Sequence, residues 1–187
     1  MVCCPLYSSS HRYDNPHMND SPSSIEEKPI EEKRRCIFLV DDNIVSLNTG
    51  KTLLQDKYTV VTIPSGDKLL QMLKMLDKIK PDLILLDVEM PGLDGFETIK
   101  KVKSNPETAW IPVIFLTGKN EPENESLGLS LGAADYLTKP FSPPLFLKRI
   151  QLHMLLISQQ KEITLLKETI KAIRDGKNGN TENVDNK

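Results

Sequence analysis

Residues 82–87 read D-L-I-L-L-D. Four large apolar residues follow one another with no polar residue between them. A strand with one wet face alternates polar and apolar side chains, so an unbroken run needs cover on both faces. A parallel sheet held between two layers of helices supplies that cover. The run stops at a carboxylate, Asp87, and Pro91 and Gly92 turn the chain soon after. Burying an ionised carboxylate is expensive unless a charge or a metal pairs with it. Asp87 therefore either caps the next element or belongs to a site that needs negative charge.

The same grammar recurs along the chain. "CIFLV" (36–40) is a short apolar run ending in Asp41, Asp42 and Asn43. Residues 43–55 then place Ile44, Leu47 and Leu54 at helical spacing. "YTVVTI" (58–63) reads as a strand and "PSGDKLLQMLKML" (64–76) as a helix. After the D-L-I-L-L-D strand come a helix at "DGFETIKKVKS" (94–104) and a strand at "IPVIFLT" (111–117). "PENESLGLSLG" (122–132) is a weaker helix with a glycine inside it, and "ADYLT" (134–138) a short strand. A long helix follows from 142 to about 175, with Pro143 and Pro144 in its first turn, where proline is tolerated. Strand and helix alternate five times, which specifies an α/β fold with a doubly wound parallel sheet.

Composition narrows the class further. The chain is 39% hydrophobic and 27% charged, a globular balance, and its net charge of −2 leaves no electrostatic footprint for nucleic acid. Cys3, Cys4 and Cys36 are odd in number and lack metal-ligand spacing, which suits a reducing compartment. No apolar run approaches the ~20 residues that span a bilayer, and the N-terminus lacks a basic stretch followed by an apolar one. The expectation is a cytoplasmic protein with neither a nucleic-acid nor a membrane partner. Residues 1–33 are polar and rich in proline and serine, as a disordered tail is.

In an open parallel sheet, ligands bind beyond the carboxyl ends of the strands. The first strand ends in Asp41 and Asp42, the third in Asp87, the fourth in Thr117 and the fifth near Lys139, before Pro140. Each has an ordinary reading alone: a helix cap, a turn acid, loop polarity. Together they bring three carboxylates, a hydroxyl and an ammonium to one edge. Close carboxylates repel and need a counter-charge. Mg²⁺ prefers oxygen ligands, takes one or two carboxylates and tolerates phosphate beside it. Lysine is a point charge for a phosphate oxygen. Such a set suits phosphoryl transfer, where positioning and charge neutralisation dominate, with an aspartate as nucleophile. Asp87, at the end of the most apolar strand, is the candidate acceptor, and Asp41 and Asp42 are the candidate metal holders.

These residues carry a resemblance. "LVDDN", "PDLILLDVEMPGLDGFE", "IPVIFLT" and "GAADYLTKPF", in that order, resemble the receiver domains of two-component response regulators from about residue 36 to about 151. The resemblance implies a flavodoxin-like (βα)5 fold, strand order 2-1-3-4-5, with an extended C-terminal helix here. It implies that Asp87 accepts a phosphoryl group and that Asp41, Asp42, Asp87 and the backbone carbonyl of Glu89 hold Mg²⁺. Thr117 and Lys139 would grip the phosphoryl group, Tyr136 would be the aromatic switch, and the Lys139–Pro140 bond would be cis. Glu89 and Lys119 occupy positions that tune the acyl-phosphate lifetime, and their side chains are expected to pair across the site mouth. The donor would be a histidine kinase or a phosphotransfer protein. The chain would be a signalling receiver that catalyses only its own phosphorylation and dephosphorylation. The rival readings are a phosphorelay intermediate that hands the group to another histidine, and an Asp-nucleophile phosphatase of the haloacid dehalogenase type. The latter needs a second aspartate two residues after the nucleophile, where this chain has Glu89.

Two other motifs fail. "NTGKTLL" (48–54) contains Gly-Lys-Thr, but the glycine a phosphate loop needs five residues before Gly50 is Val45. His153, in the apolar run "QLHMLL", reads as a helix-surface histidine with nothing to orient it. The last helix runs past the receiver's end. Positions 152, 156, 159, 163, 166, 170 and 173 are Leu, Leu, Gln, Ile, Leu, Ile and Ile, with spacing alternating four and three. That is a heptad seam, and it fits a homodimer through residues 152–173. Packing on its own domain or a linker to an output domain would also explain an amphipathic helix. The charges there are mixed, unlike a DNA-binding helix. The expected division is a tail (1–33), a receiver domain (34–151), a helical extension (152–175) and a second tail (176–187).

Overall fold

A computed structural model describes residues 34–75, 79–118, 122–140 and 142–178. The expected tail at 1–33, and Lys119, lie outside the described residues. Five strands, β1 (Cys36–Val40), β2 (Thr59–Ile63), β3 (Leu83–Leu86), β4 (Val113–Thr117) and β5 (Asp135–Thr138), form one parallel sheet in the order β2-β1-β3-β4-β5. Five helices alternate with them: α1 (Ile44–Leu54), α2 (Gly66–Leu73), α3 (Gly95–Ser104), α4 (Pro122–Ser130) and α5 (Pro143–Asn178). This is the flavodoxin-like arrangement, with its long last helix, that the resemblance implied.

The sheet divides the core in two, which is why β3 has no polar position. Ile84 and Leu86 join Phe38, Val40, Val113 and Phe115 under Leu69 and Leu73 of α2 and Ile99 and Val102 of α3. Leu83 and Leu85 point the other way, with Ile37, Leu39, Ile114 and Leu137, under Leu47 and Leu54 of α1 and Phe146 and Ile150 of α5. All four β3 side chains are fully buried. Burying one such side chain stabilises by about 1.5–3 kcal/mol, so a polar residue anywhere in β3 is costly.

The caps follow local chemistry. Asn43 accepts from the amides of Val45 and Ser46 to start α1, Ser65 accepts from Lys68 for α2, and Asp94 accepts from Glu97 for α3. Asn43, and not Asp42, therefore caps α1, which leaves Asp42 to the sheet edge. The glycine inside α4 also has a reason. A Cβ on Gly128 would lie 3.0 Å from the Phe115 ring and 3.3 Å from the Tyr136 ring.

α5 reaches Asn178, beyond the expected boundary at 175. Residues 179–187 of the expected second tail lie outside the described residues. α5 is pinned at the amino edge of the sheet. Arg35 donates to Ser158 Oγ at 2.7 Å, and Asp82 accepts from Lys161 at 2.6 Å and from the Cys36 amide at 2.9 Å. Burial works to raise the Asp82 carboxyl, but Lys161, the Cys36 amide and Arg35 together hold it below the usual range. The first acid of D-L-I-L-L-D is thus a clasp for α5. The expectation for His153 needs correcting. Its side chain is largely buried, its Nε2 lies 3.0 Å from Asp135 Oδ2, and Arg149 donates to the same carboxylate at 3.0 Å. The partner comes from β5, across 18 residues, which a reading of the helix alone cannot see. No helix among the described residues is long and apolar enough to cross a membrane.

Candidate functional site

Strand register assembles the site. Val40 pairs with Leu86, so Asp41 and Asp87 emerge side by side one residue beyond the ladder, and the Asp87 amide donates to Val40 O at 2.9 Å. Thr117 pairs with Thr138, which sets Lys139 beside the end of β4, with its amide on the Thr117 carbonyl at 2.6 Å. Four strands thus deliver the expected residues to one edge. The Lys139–Pro140 peptide bond is cis.

Oxygens of Asp41, Asp42 and Asp87 all lie within 4.8 Å of one another. Asp41 and Asp87 are 3% and 7% exposed, whereas Asp42 is open to solvent. Lys139 Nζ sits 2.6 Å from Asp41 Oδ2 and 3.5 Å from Asp87 Oδ1. Backbone amides add to this: Asn43 donates to Asp41 Oδ1 at 2.8 Å, and Val88 donates to the same Asp87 Oδ1 that faces Lys139, at 2.9 Å. Burial pushes the Asp87 carboxyl up to about 6; Lys139 opposes this and the Asp41 charge adds to it. One lysine therefore does not balance the cluster. Three oxygen donors at this spacing, with one side open, fit a hard divalent cation with bound waters.

Thr117 is fully buried at the end of β4. Tyr136 is also buried, at 7% exposure, its ring edge-on to Phe115 at 6.0 Å. Glu89 is exposed on the rim of a concavity shared with Asp42, Met90, Pro91, Asp94 and Phe96. Its carboxylate leans across the mouth, with Oε2 3.6 Å from where a Cβ on Gly118 would stand. Its expected partner, Lys119, is the next residue and is outside the description. A groove of about 830 Å³ lies between Trp110, Pro112 and α5 and contains none of these acids.

Sequence reasoning missed one positioning residue. A Cβ on Gly95 would overlap the Asp87 carbonyl oxygen and lie 2.7 Å from Val88 Cα. The Gly95 amide donates to Val88 O at 3.0 Å. The start of α3 therefore presses on the backbone that carries Asp87. A glycine just after a capping aspartate was the only available signal, and it is a weak one. Gly95→Ala is expected to cost about 1–3 kcal/mol in urea unfolding, the range for overpacking, and to displace Asp87.

The family model described as "Response regulator receiver domain" matches residues 37–151. A probable cyclic di-GMP phosphodiesterase of Vibrio cholerae is 43% identical over 129 residues, which covers 67% of this chain and 28% of that protein. The alkaline phosphatase synthesis transcriptional regulatory protein PhoP of Bacillus subtilis is 43% identical over 109 residues, covering 57% of this chain and 43% of that protein. The chain thus spans less than half the length of these two relatives. Among solved structures, the chemotaxis protein CheY4 of Vibrio cholerae superposes with a TM-score of 0.58 at 33% identity, over 64% of this chain and 98% of that one. A putative response regulator from Chloroflexus aurantiacus superposes at 0.61 with 31% identity, over 66% and 99%. The family model spans more than half of the chain, and this chain belongs to the response regulator receiver domain family.

Proposed function

We propose that this receiver takes a phosphoryl group onto Asp87 from a phosphohistidine of a histidine kinase or phosphotransfer protein. The observation that supports this most is the cluster of three carboxylates within 4.8 Å, bridged by Lys139 and left two positive charges short. A carboxylate oxygen of Asp87 attacks phosphorus, an O–P bond forms, the P–N bond to the donor imidazole breaks, and the imidazole takes up a proton. Asp41, Asp42, Asp87 and the Glu89 carbonyl would hold Mg²⁺, which when bound supplies positive charge to the phosphoryl oxygens. Lys139 turns from Asp41 towards the new phosphoryl oxygens. The Thr117 hydroxyl donates to another, and its movement frees space that Tyr136, packed on Phe115 and Gly128, follows. The changed α4–β5–α5 face then signals through protein–protein contacts. The chain acts as a cytoplasmic signalling module whose only chemistry is its own phosphorylation and dephosphorylation.

The test is phosphoryl uptake from a small phosphodonor, read by intact mass. One phosphoryl group is gained with Mg²⁺ present and none with a chelator; uptake that ignores the chelator sinks the metal assignment. Glu89 and Lys119 are proposed to close over the acyl phosphate and obstruct the attacking water. Glu89→Ala and Lys119→Ala should each shorten its lifetime several-fold in a dephosphorylation time course. Unchanged decay in both variants removes that role.

A further inference from the structure

α5 carries two separate stripes. Phe146, Ile150, Met154 and Ile157 pack into the domain, and Ser158 and Lys161 continue that line to Arg35 and Asp82. At 3.6 residues per turn, the heptad positions 152, 156, 159, 163, 166, 170 and 173 fall on the opposite side of the helix. Their six Leu and Ile side chains are 45–65% exposed, and Gln159 is exposed with them. Self-packing buries the other stripe and leaves the seam side chains about half exposed.

The geometry points to a second copy of this chain as the seam's occupant: we propose a parallel, in-register two-stranded coiled coil that forms whether or not Asp87 is phosphorylated. The second half of this rests on the acceptor reading above. The spacing places Leu156, Ile163 and Ile170 at a positions and Leu152, Gln159, Leu166 and Ile173 at d positions. Ile163 at a with Leu166 at d favours two parallel strands; Leu156 with Gln159 and Ile170 with Ile173 do not share that pattern. Glu162 then falls at g and Lys167 at e, five residues on, where a parallel dimer sets Glu162 beside the partner's Lys167, twice by symmetry. An antiparallel pair matches e with e and g with g, and this complementarity is lost. Gln159 meets its own counterpart only in register, and a slip sets it against Ile or Leu. Leu156, Gln159 and Ile163 line the groove that Trp110 and Pro112 share with α5, Leu166, Ile170 and Ile173 do not, and the clasp that seats α5 lies at the sheet edge opposite Asp87. No acceptor-site residue therefore bears on the seam.

Light scattering and sedimentation of the full chain, unphosphorylated and phosphorylated, test this. The chain is expected to be a concentration-dependent dimer in both states, with affinities within about threefold of each other. Leu166→Lys and Ile170→Lys change exposed side chains that the domain does not touch, so the thermal melt of the folded domain stays and dimer affinity falls at least about a hundredfold. Glu162→Lys or Lys167→Glu alone weakens the dimer roughly three- to tenfold, and the double exchange restores it. A monomer at all concentrations, a double exchange weaker than either single, or a dimer that appears only on phosphorylation overturns the proposal. Phosphoryl uptake is read separately by mass. A failed seam leaves the acceptor reading standing, and failed uptake leaves the assembly to be judged on the unphosphorylated chain.

Discussion

Asp87→Asn is expected to make the metal-free protein more stable at neutral pH. The Asp87 carboxyl is pushed up to about 6, by burial first, against Lys139 and with help from the Asp41 charge. In the unfolded chain an aspartate titrates near 3.8. A carboxyl raised on folding costs stability once it ionises. Below about pH 4 both states are protonated and nothing is lost. The penalty grows as pH rises through 4 to 6 and is complete above that, at about 3 kcal/mol for about two pH units. Asparagine keeps the shape and never ionises. The gap between variant and wild type should therefore open from near zero at pH 4 to its full size at pH 7.5, read by urea unfolding without divalent cation. Mg²⁺ should narrow it by stabilising wild type more. A constant gap across pH would mean that Asp87 is not the destabilising charge.

Lys139→Ala should act in the opposite direction. Lys139 bridges two nearly buried acids, at 2.6 Å and 3.5 Å, and removing it leaves both without their cation. Breaking a buried pair from one side costs about 3–5 kcal/mol. The lysine side chain is a quarter exposed, so about 2 kcal/mol is expected in metal-free protein, and Asp87→Asn placed on top should recover most of it. The phosphoryl oxygens also lose a positive partner. Uptake should slow at least about tenfold, within the range for losing one charge-stabilising donor. Lys139→Arg should rescue stability better than uptake, because the planar guanidinium presents its charge differently. If Lys139→Ala leaves both stability and uptake unchanged, the lysine is a surface residue after all.

What could be read in the sequence and what could not divides along a physical line. The unbroken apolar runs of β1, β3 and β4 announced strands buried on both faces. Once strands and helices alternate, the polar residues ending those runs must share an edge, so Asp41, Asp42, Asp87, Thr117 and Lys139 were legible as a group before any coordinate. The contacts that needed coordinates join elements whose spacing in the chain carries no signal. Gly95 is small because α3 begins against the backbone of Asp87 and Val88, and Gly128 because α4 lies on Phe115 and Tyr136. Asp82 meets Lys161 across 79 residues, and His153 meets Asp135 on a neighbouring strand. The heptad spacing of α5 was visible as a pattern. That it lies opposite the stripe seated on the domain required knowing which side the domain occupies.

The central claim is that Asp87 is the residue phosphorylated. Intact-mass analysis after incubation with a small phosphodonor and Mg²⁺ tests it most directly, with wild type and Asp87→Asn run side by side. The account predicts one phosphoryl group on wild type and none on a variant that melts at or above the wild-type temperature. A folded Asp87→Asn protein that still gains a phosphoryl group would contradict it.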